Sequence, residues 1–207
     1  MFRDREEAAL ALAQVLRAWR GAHPLVVAIP RGAVPMAATI ARELGGEIDV
    51  VLVRKLPAPG DPEFAVGSVD EIGWTYISPH ARAAGAHPAY LENEIKSQLK
   101  TIRTRRERYT PGREPRDASD RVVIVVDDGL ATGATMVAAL HALRARNPRH
   151  LVCAVPVASS DALSLVRPLA DEVICLETPE LFHSVGQAYR RFPQVSDEEV
   201  IAALRAG

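Results

Sequence analysis

The sequence has little of what marks several large classes of protein. Only 5% of its 207 residues are aromatic, and its formal net charge is −1. No stretch approaches the roughly 20 consecutive apolar residues of a membrane-spanning helix, and the N-terminus lacks the continuous apolar core of a signal peptide. Because the chain has no strong positive charge, we expect no binding to nucleic acid or to an anionic membrane. These absences favour a cytoplasmic protein.

Cysteine is also scarce, and its placement excludes common metal and redox motifs. Cys153 and Cys175 lie in separate apolar segments without a CxxC spacing. We expect both to be buried free thiols. The sequence has no GxSxG, HExxH or Walker pattern either, so hydrolysis of a sugar phosphate is a weakly supported hypothesis.

The apolar segments that are present predict a single α/β domain over residues 1–207. At 48% hydrophobic residues, a chain of this length can bury one core. Strand-like runs alternate with helix-periodic segments, which predicts a doubly wound, mostly parallel sheet of about five strands. The expected strands of this sheet are 25–29, 48–53, 122–126, 151–157 and 172–176.

Residues 56–116 interrupt this alternation with an expected insertion. A proline-rich irregular loop opens it, a hairpin is expected from residues 64–69 and 74–77, and a helix from residues 88–109. The second half of that helix is basic. It could form a cationic flap over a polyphosphate or contact nucleic acid, but a solvated face balanced by neighbouring glutamates is the favoured interpretation.

The most informative stretch is residues 121–136, which read RVVIVVDDGLATGATM. Its five consecutive valine and isoleucine residues predict a strand buried on both faces, as in a parallel sheet. That strand stops at Asp127 and Asp128. Both carboxylates should therefore lie at the carboxyl edge of the sheet, where doubly wound proteins bind ligands.

The residues that follow the acidic pair predict a phosphate-binding loop. They are small or hydroxylated, and an apolar helix begins at once, so backbone N–H groups and the positive end of the helix dipole face the loop. Each charge-assisted hydrogen bond to a phosphate contributes roughly 1.5–3 kcal/mol, so a few such bonds would hold a monophosphate without a lysine. The loop consists of Ala131, Thr132, Gly133, Ala134 and Thr135.

This strand, acidic pair and loop resemble the phosphoribosyl-pyrophosphate (PRPP) signature of the type I phosphoribosyltransferases. The resemblance implies that Asp127 and Asp128 contact the ribose hydroxyls and that the loop binds the 5′-phosphate. One departure is Gly129, where the family usually has an aliphatic residue, and which should make the turn more flexible. The alternative is an acidic turn and helix cap in an ordinary α/β protein, but the combined motif is far rarer than a lone GxGxxG.

An earlier strand, loop and helix unit follows the same logic. In the family the loop after the first core strand binds pyrophosphate, so the resemblance implies Arg31, Gly32 and Ala33 as ligands. The strand at 48–53 is expected to end in Arg54 and Lys55, facing the same crevice. Both cations would then meet the charge of the leaving group, Lys55 being the better candidate, while Arg54 could instead pair with a carboxylate.

The segment 177–207 is expected to form a small C-terminal hood and a last helix capped by Ser196 and Glu199. In type I enzymes a variable hood selects the acceptor base, which implies His183 and Tyr189 as acceptor contacts. The aromatic residues of this segment could equally pack the last helix onto the sheet, and the sequence leaves both alternatives open.

The resemblance implies transfer of the phosphoribosyl group of PRPP to a nitrogenous, base-like acceptor with release of pyrophosphate. Catalysis would involve Asp127, Asp128 and Lys55, with Mg²⁺ held by the two acids through the ribose or through water. A non-catalytic PRPP- or nucleotide-binding regulatory module is the alternative. The insertion is similar to the RKL-P-PGDPEFAVGSVDE segment of a branch of uncharacterised phosphoribosyltransferases, and since relatives are frequently dimers, the resemblance also allows a homodimer.

Overall fold

The apolar runs form the strands of two sheets in a computed structural model of the chain, which describes residues 1–206 and, for residue 63, the backbone alone. In chain order the strands are β1 (Leu25–Ala28), β2 (Glu47–Val50), β3 (Val53–Ala58), β4 (Asp61–Asp70), β5 (Thr75–Ile77), β6 (Val122–Val126), β7 (His150–Val157) and β8 (Glu172–Glu177). The helices are α1 (Arg5–Val15), α2 (Ala33–Leu44), α3 (Pro88–Tyr109), α4 (Ala134–Arg144), α5 (Ser160–Val166) and α6 (Asp197–Ala206). Short 3₁₀ turns cover Leu16–Trp19, Arg167–Leu169 and Val185–Ala188.

The larger sheet has five parallel strands in the order β2-β1-β6-β7-β8. Helix α2 packs on β1 and β2, α1 packs on α2 and on β7 and β8, and α4 packs on α5 and β7. The predicted α/β class and parallel sheet are therefore confirmed. The strand order reverses between β1 and β6, and such a switch point is where doubly wound sheets open a crevice for ligands.

The chain divides into two compact units. One contains Met1–Val51 and the described residues from Glu114 on, and includes the parallel sheet; the other is Leu52–Arg113. In the second unit β3, β4 and β5 form an antiparallel sheet, and α3 packs on β3 and β4. The predicted hairpin and long helix are thus present. That residues 1–207 form one domain stays a prediction.

The expected strand over residues 48–53 is wrong, because two strands share this apolar run. Strand β2 ends at Val50, and β3 begins at Val53 in the other sheet, where Val53 pairs with Asp70. Arg54 and Lys55 therefore lie inside β3 and not at the carboxyl end of a parallel strand. Apart from Asp49, residues 48–53 are all apolar, and periodicity alone could not locate the change of sheet.

The irregular loop expected after residue 56 is also partly wrong, since β3 continues through Pro57. The pairing of β3 with β4 shifts register on both sides of Pro57. Strand β3 is an edge strand, and proline is tolerated at edges and bulges because its missing N–H leaves no ladder bond broken there.

One residue of the basic helix α3 departs from the predicted solvated face. Arg106 donates from Nε and Nη2 to the two carboxylate oxygens of Glu71, at 2.8 Å each. The two side chains are 12% and 6% exposed, so this ion pair is buried. By contrast, Lys96 and Glu92 form an exposed pair at 2.6 Å on the same helix. Arg106 therefore anchors α3 to the hairpin.

The C-terminal helix follows the predicted cap. The backbone N–H of Ser196 donates to Glu199 Oε2, and that of Glu199 donates to Ser196 Oγ. Val200 and Leu204 on α6 are buried, and α6 packs on α2.

Both cysteines are free thiols, Cys153 buried and Cys175 partly so. Within residues 1–206, no helix has the length and apolar character needed to cross a membrane.

Candidate functional site

The acidic pair and the predicted pyrophosphate loop meet at the switch point of the parallel sheet. Because Ala28 is in register with Val126, the turns that follow β1 and β6 leave the sheet side by side. A Cβ placed on Gly32 would lie 1.9 Å from Asp128 Oδ2. Only glycine permits this approach, so the structure brings Gly32 and Asp128 together as the sequence predicted. The Pro30–Arg31 peptide bond, directly before Gly32, is cis.

Asp127 is the carboxylate that faces the candidate phosphate loop. Its Oδ1 accepts a hydrogen bond of 2.9 Å from the backbone N–H of Asp128. Burial raises the pKa of Asp127 well above its ordinary value, and the negative charge of Asp128 raises that pKa further. A carboxyl group of this kind can accept a proton at a higher pH than an exposed aspartate can.

An open cavity of about 180 Å³ joins Asp127 to the loop. Gly133 takes a positive φ of 74° and starts α4 directly, so the first N–H groups of the helix face the cavity mouth. Ser159, which caps α5, supports the loop because its hydroxyl donates to the carbonyl of Ala131 at 2.8 Å. The lining comprises Asp127, Gly129, Leu130, Ala131, Thr132, Gly133, Ala134, Thr135, Met136 and Val185.

A larger cavity, of about 260 Å³, lies elsewhere. Its lining includes Arg17 and Arg20 and the last residues of α2, Glu43 and Leu44. Helix α2 begins at the turn that follows β1 and runs back along the sheet, so its last residues lie at the opposite edge of the sheet from that turn. This cavity is therefore distant from the acidic pair, and we do not assign the site to it.

Gly129 has a steric role that the sequence did not reveal. It is buried, and a Cβ there would lie 2.6 Å from Val185 Cγ1 and 2.9 Å from Val157 Cγ1. The aliphatic group expected at this position is thus supplied by Val185, 56 residues later in the chain by the numbering. The predicted flexibility of the turn stays a prediction.

Sequence reasoning missed Arg5, the first residue of α1. Its Nε and Nη2 donate to Asp128 Oδ2 at 3.0 and 2.8 Å. The two side chains are 13% and 18% exposed. No sequence signal pairs these residues, because 123 positions separate them.

The predicted hood residues occupy different environments. Tyr189 is 6% exposed, and its hydroxyl donates to the backbone carbonyl of Asp128 at 2.7 Å. Burial raises the pKa of this hydroxyl, so it remains a donor. His183 is exposed, and its backbone N–H donates to Gln187 Oε1. The structure therefore places Tyr189 against the backbone of Asp128, and the roles of His183 and Tyr189 as acceptor contacts stay predictions.

The predicted pyrophosphate cations are divided between the two units. Arg31 follows β1, is 44% exposed, and lies 3.7 Å from Asp197 Oδ1 at the start of α6. Arg54 and Lys55 belong to the second unit. Lys55 is exposed there, and Arg54 donates to the amide oxygen of Gln98 at 2.9 Å, so this partner is an amide and not a carboxylate. The roles of all three cations stay predictions.

The described side chains at the carboxyl edge of the parallel sheet do not form a complete metal site by themselves. In the part of the chain that the structure describes, no group of three or more His, Cys, Asp or Glu side chains is arranged to hold a metal ion. Asp127 and Asp128 provide two carboxylates. Mg²⁺ commonly binds through one or two carboxylates together with substrate phosphates and water, and this pair fits that pattern.

Comparison with solved structures supports the fold. The chain is 46% identical to the protein TT1426 from Thermus thermophilus, with a TM-score of 0.87 over 98% of this chain and 97% of that one. A Neisseria gonorrhoeae hypothetical protein crystallised with bound ppGpp has a TM-score of 0.51, covering 100% of this chain and 98% of that one. At 13% identity, the second similarity shows the fold alone.

Sequence comparison identifies the family. Two curated relatives from Mycobacterium tuberculosis strains, each named "Putative phosphoribosyl transferase", are 40% identical over 205 residues. The match covers 99% of this chain and 46% of theirs, so the chain spans about half the length of these relatives. The family model of the phosphoribosyl transferase domain matches residues 5–190. The chain therefore belongs to the phosphoribosyl transferase domain family.

Proposed function

We propose that the chain transfers the phosphoribosyl group of PRPP to a nitrogenous acceptor and releases pyrophosphate in a Mg²⁺-dependent reaction. The observation that carries this proposal is the cavity that joins Asp127 to the helix-terminal loop 131–135. A sugar phosphate needs an anion site for its phosphate and acceptor groups for its hydroxyls. One cavity offers both, and membership of the family supports PRPP as the ligand.

The two ends of PRPP would bind at the two turns of the switch point. The loop after β6 would hold the 5′-phosphate through backbone N–H groups and the hydroxyls of Thr132 and Thr135. The turn after β1, containing Arg31 and Gly32, would face the pyrophosphate. The close approach of Gly32 to Asp128 supports this assignment, since the acidic pair would then lie between the two proposed phosphate subsites.

Displacement at the anomeric carbon forms a bond to the acceptor nitrogen and breaks the bond to pyrophosphate. Positive charge then develops on the ribose, and negative charge on the leaving group, so the site must stabilise both. Asp127 and Asp128 would orient the ribose hydroxyls. Asp127 is the better candidate to take the proton of the acceptor, because its raised pKa suits a general base better than an ordinary carboxylate's does.

Mg²⁺ bound with PRPP would neutralise charge on the departing pyrophosphate. Asp127 and Asp128 would hold the ion through the ribose hydroxyls or through water.

Titration calorimetry with PRPP, with and without Mg²⁺, tests the proposal. We expect Mg²⁺-dependent binding by the wild type and loss of that binding in the Asp127→Asn/Asp128→Asn variant. Asp161→Asn removes an exposed carboxylate from the first turn of α5 and is the matched control, which should bind like the wild type. Absence of binding to the wild type at millimolar PRPP would contradict the proposal.

Turnover separates this proposal from a non-catalytic PRPP- or nucleotide-binding module. Pyrophosphate release should be measured with PRPP and a panel of purine and pyrimidine bases. Release that depends on one base identifies the acceptor. Tight binding of PRPP or of a nucleotide such as ppGpp, without release with any base, would favour the regulatory module.

A further inference from the structure

We propose that Arg5 is a positioning residue of the PRPP site, which orients the carboxylate of Asp128 for the ribose. This inference rests on the proposed function, because it assigns Arg5 a task at the same site. The cation does not need to touch the substrate to perform this task. It acts through Asp128.

Arg5 bonds Asp128 in a way that sets the direction of the carboxylate. Its Nε and Nη2 both donate to the same oxygen, Oδ2, at 3.0 and 2.8 Å. In the described structure Asp128 Oδ1 takes part in no hydrogen bond, which leaves that oxygen for a ligand. Two donors on one oxygen restrict rotation of the carboxylate more than a single point charge would.

The Arg5–Asp128 ion pair also packs against the turn that follows β1. A Cβ on Gly32 would lie 1.9 Å from Asp128 Oδ2 and 3.1 Å from Arg5 Nη2. The Arg5–Asp128 pair therefore fills the space over Gly32. It contacts the turn proposed for pyrophosphate as well as the acid proposed for the ribose, so its placement affects both ends of PRPP.

The guanidinium of Arg5 is itself held by the segment before α6. Its Nη1 donates to the carbonyl of Pro193 at 2.6 Å, and its Cζ lies 3.8 Å from the ring centroid of Phe192. Phe192 stacks on Tyr189 at 4.7 Å, and the hydroxyl of Tyr189 donates to the Asp128 carbonyl. Asp128 is thus hydrogen-bonded through its side chain to Arg5 and through its backbone carbonyl to Tyr189.

A double-mutant cycle separates positioning through Asp128 from direct contact of Arg5 with PRPP. PRPP affinity should be measured with Mg²⁺ for the wild type, Arg5→Met, Asp128→Asn and the double variant. Loss of a group that orients a metal-ligating side chain typically costs about 10–100-fold in affinity or activity. By analogy we expect the Kd of Arg5→Met for PRPP to be about tenfold higher than that of the wild type. In the Asp128→Asn background the same change should alter the Kd less than about twofold, since the group it positions is gone.

Arg5→Lys and Arg42→Met complete the design. Lysine keeps the charge but cannot make both bonds, so Arg5→Lys should bind PRPP with an affinity between those of the wild type and Arg5→Met. Arg42 also pairs with carboxylates but is 63% exposed, and its change to Met should leave the Kd unchanged. If Arg5→Met does not fold, the cycle is run with Arg5→Lys.

The outcomes distinguish the two proposals. Wild-type binding with an unchanged Kd in Arg5→Met would overturn the role of Arg5 and leave the proposed function standing. Equal losses in the two Asp128 backgrounds would also overturn it, because Arg5 would then act independently of Asp128. Absence of PRPP binding by the wild type would overturn both.

Discussion

Glu71 in one unit and Asp127 in the other are partly buried carboxylates whose surroundings differ. In Leu52–Arg113 the carboxylate of Glu71 receives two hydrogen bonds from Arg106, and both side chains are nearly inaccessible. In the parallel-sheet unit Asp127 has no such cation bonded to its side chain in the described structure, and it lines a cavity. The first arrangement satisfies the charges within the protein, whereas the second leaves a charge available to a ligand.

This difference separates a structural carboxylate from a candidate site carboxylate. A buried pair is strongly destabilised when one partner is removed, because the other charge is left uncompensated. A buried carboxylate without a full partner already raises the free energy of the folded state. Removing the partner of Glu71 and removing the charge of Asp127 should therefore change the free energy of unfolding in opposite directions.

The largest effect is expected from Arg106→Met, which breaks the buried pair with Glu71. Loss of one partner of a buried ion pair costs about 3–5 kcal/mol, and we expect a decrease in the free energy of unfolding of about 3 kcal/mol. Urea denaturation measures the change, and limited proteolysis should show faster cleavage within residues 52–113.

Lys96→Met is the matched control for this experiment, since it breaks an exposed pair on the same helix. Lys96 and Glu92 are each 68% exposed, and an exposed pair of this kind contributes much less to stability than a buried one because water screens its charges. Equal effects of Arg106→Met and Lys96→Met would show that burial of the Arg106–Glu71 pair has no energetic consequence.

An intermediate effect is expected from Gly129→Ala, which fills the space beneath the site. The new Cβ would lie 2.6 Å from Val185 Cγ1, and overpacking of this kind costs about 1–3 kcal/mol. We expect a lower melting temperature, measured by calorimetry. Adding Val185→Ala should recover part of the loss, because it removes the nearer of the two contacts.

Gly186→Ala serves as the control for Gly129→Ala. A Cβ on Gly186 would lie 3.5 Å from Phe192 Cδ1, an ordinary contact. Its melting temperature should stay close to that of the wild type. A melting temperature of Gly129→Ala equal to that of the wild type would mean that Val185 does not occupy this space in solution.

The smallest effect, of opposite sign, is expected from Asp127→Asn. Burial and the charge of Asp128 raise the pKa of Asp127 in the folded state, so the folded protein binds a proton more readily than the unfolded chain, where the pKa is roughly 3.9. The contribution of Asp127 to the free energy of unfolding of the wild type therefore falls as the pH rises from about 3.9, the pKa in the unfolded chain, through the raised pKa of the folded state. At neutral pH the variant should be more stable by about 1 kcal/mol, within the range typical of stabilising site substitutions.

The pH dependence of this difference is the decisive measurement for Asp127. Unfolding of the wild type and of Asp127→Asn should be compared by urea denaturation from roughly pH 3 to roughly pH 8. This range includes the titration of a carboxyl group whose pKa is raised. The two stabilities should converge at the acidic end, where the carboxyl is protonated in both states. A variant that is less stable than the wild type at neutral pH would show that Asp127 is a structural carboxylate like Glu71.

The strand at the centre of the parallel sheet and the long helix α3 of the other unit were predictable from the sequence. The run at Val122–Val126 is apolar and β-branched throughout, so its burial and its end at the acidic pair followed from local chemistry. Helix α3 was predicted with the bounds Pro88–Tyr109 because its apolar residues repeat at helical spacing. Local pattern and tertiary structure agree in these elements.

Prediction failed where neighbouring segments share the same local pattern. Apart from Asp49, residues 48–53 are apolar on both sides of the boundary between β2 and β3, and only pairing with β4 assigns Val53 to a second sheet. The basic face of α3 likewise looked uniform, although Arg106 finds a buried partner in Glu71. Strand pairing and ion pairing are long-range, and no local periodicity records them.

The sequence by itself determined the acidic pair, the loop at residues 131–135 and the type of element that carries each, since these depend on residue type and spacing within a short segment. Only the tertiary structure decided that Arg5 holds Asp128, that Val185 fills the space over Gly129, and that Tyr189 bonds the Asp128 backbone. These contacts join residues from distant parts of the chain. They form only when packing of the helices and the C-terminal segment around the sheet brings those parts together.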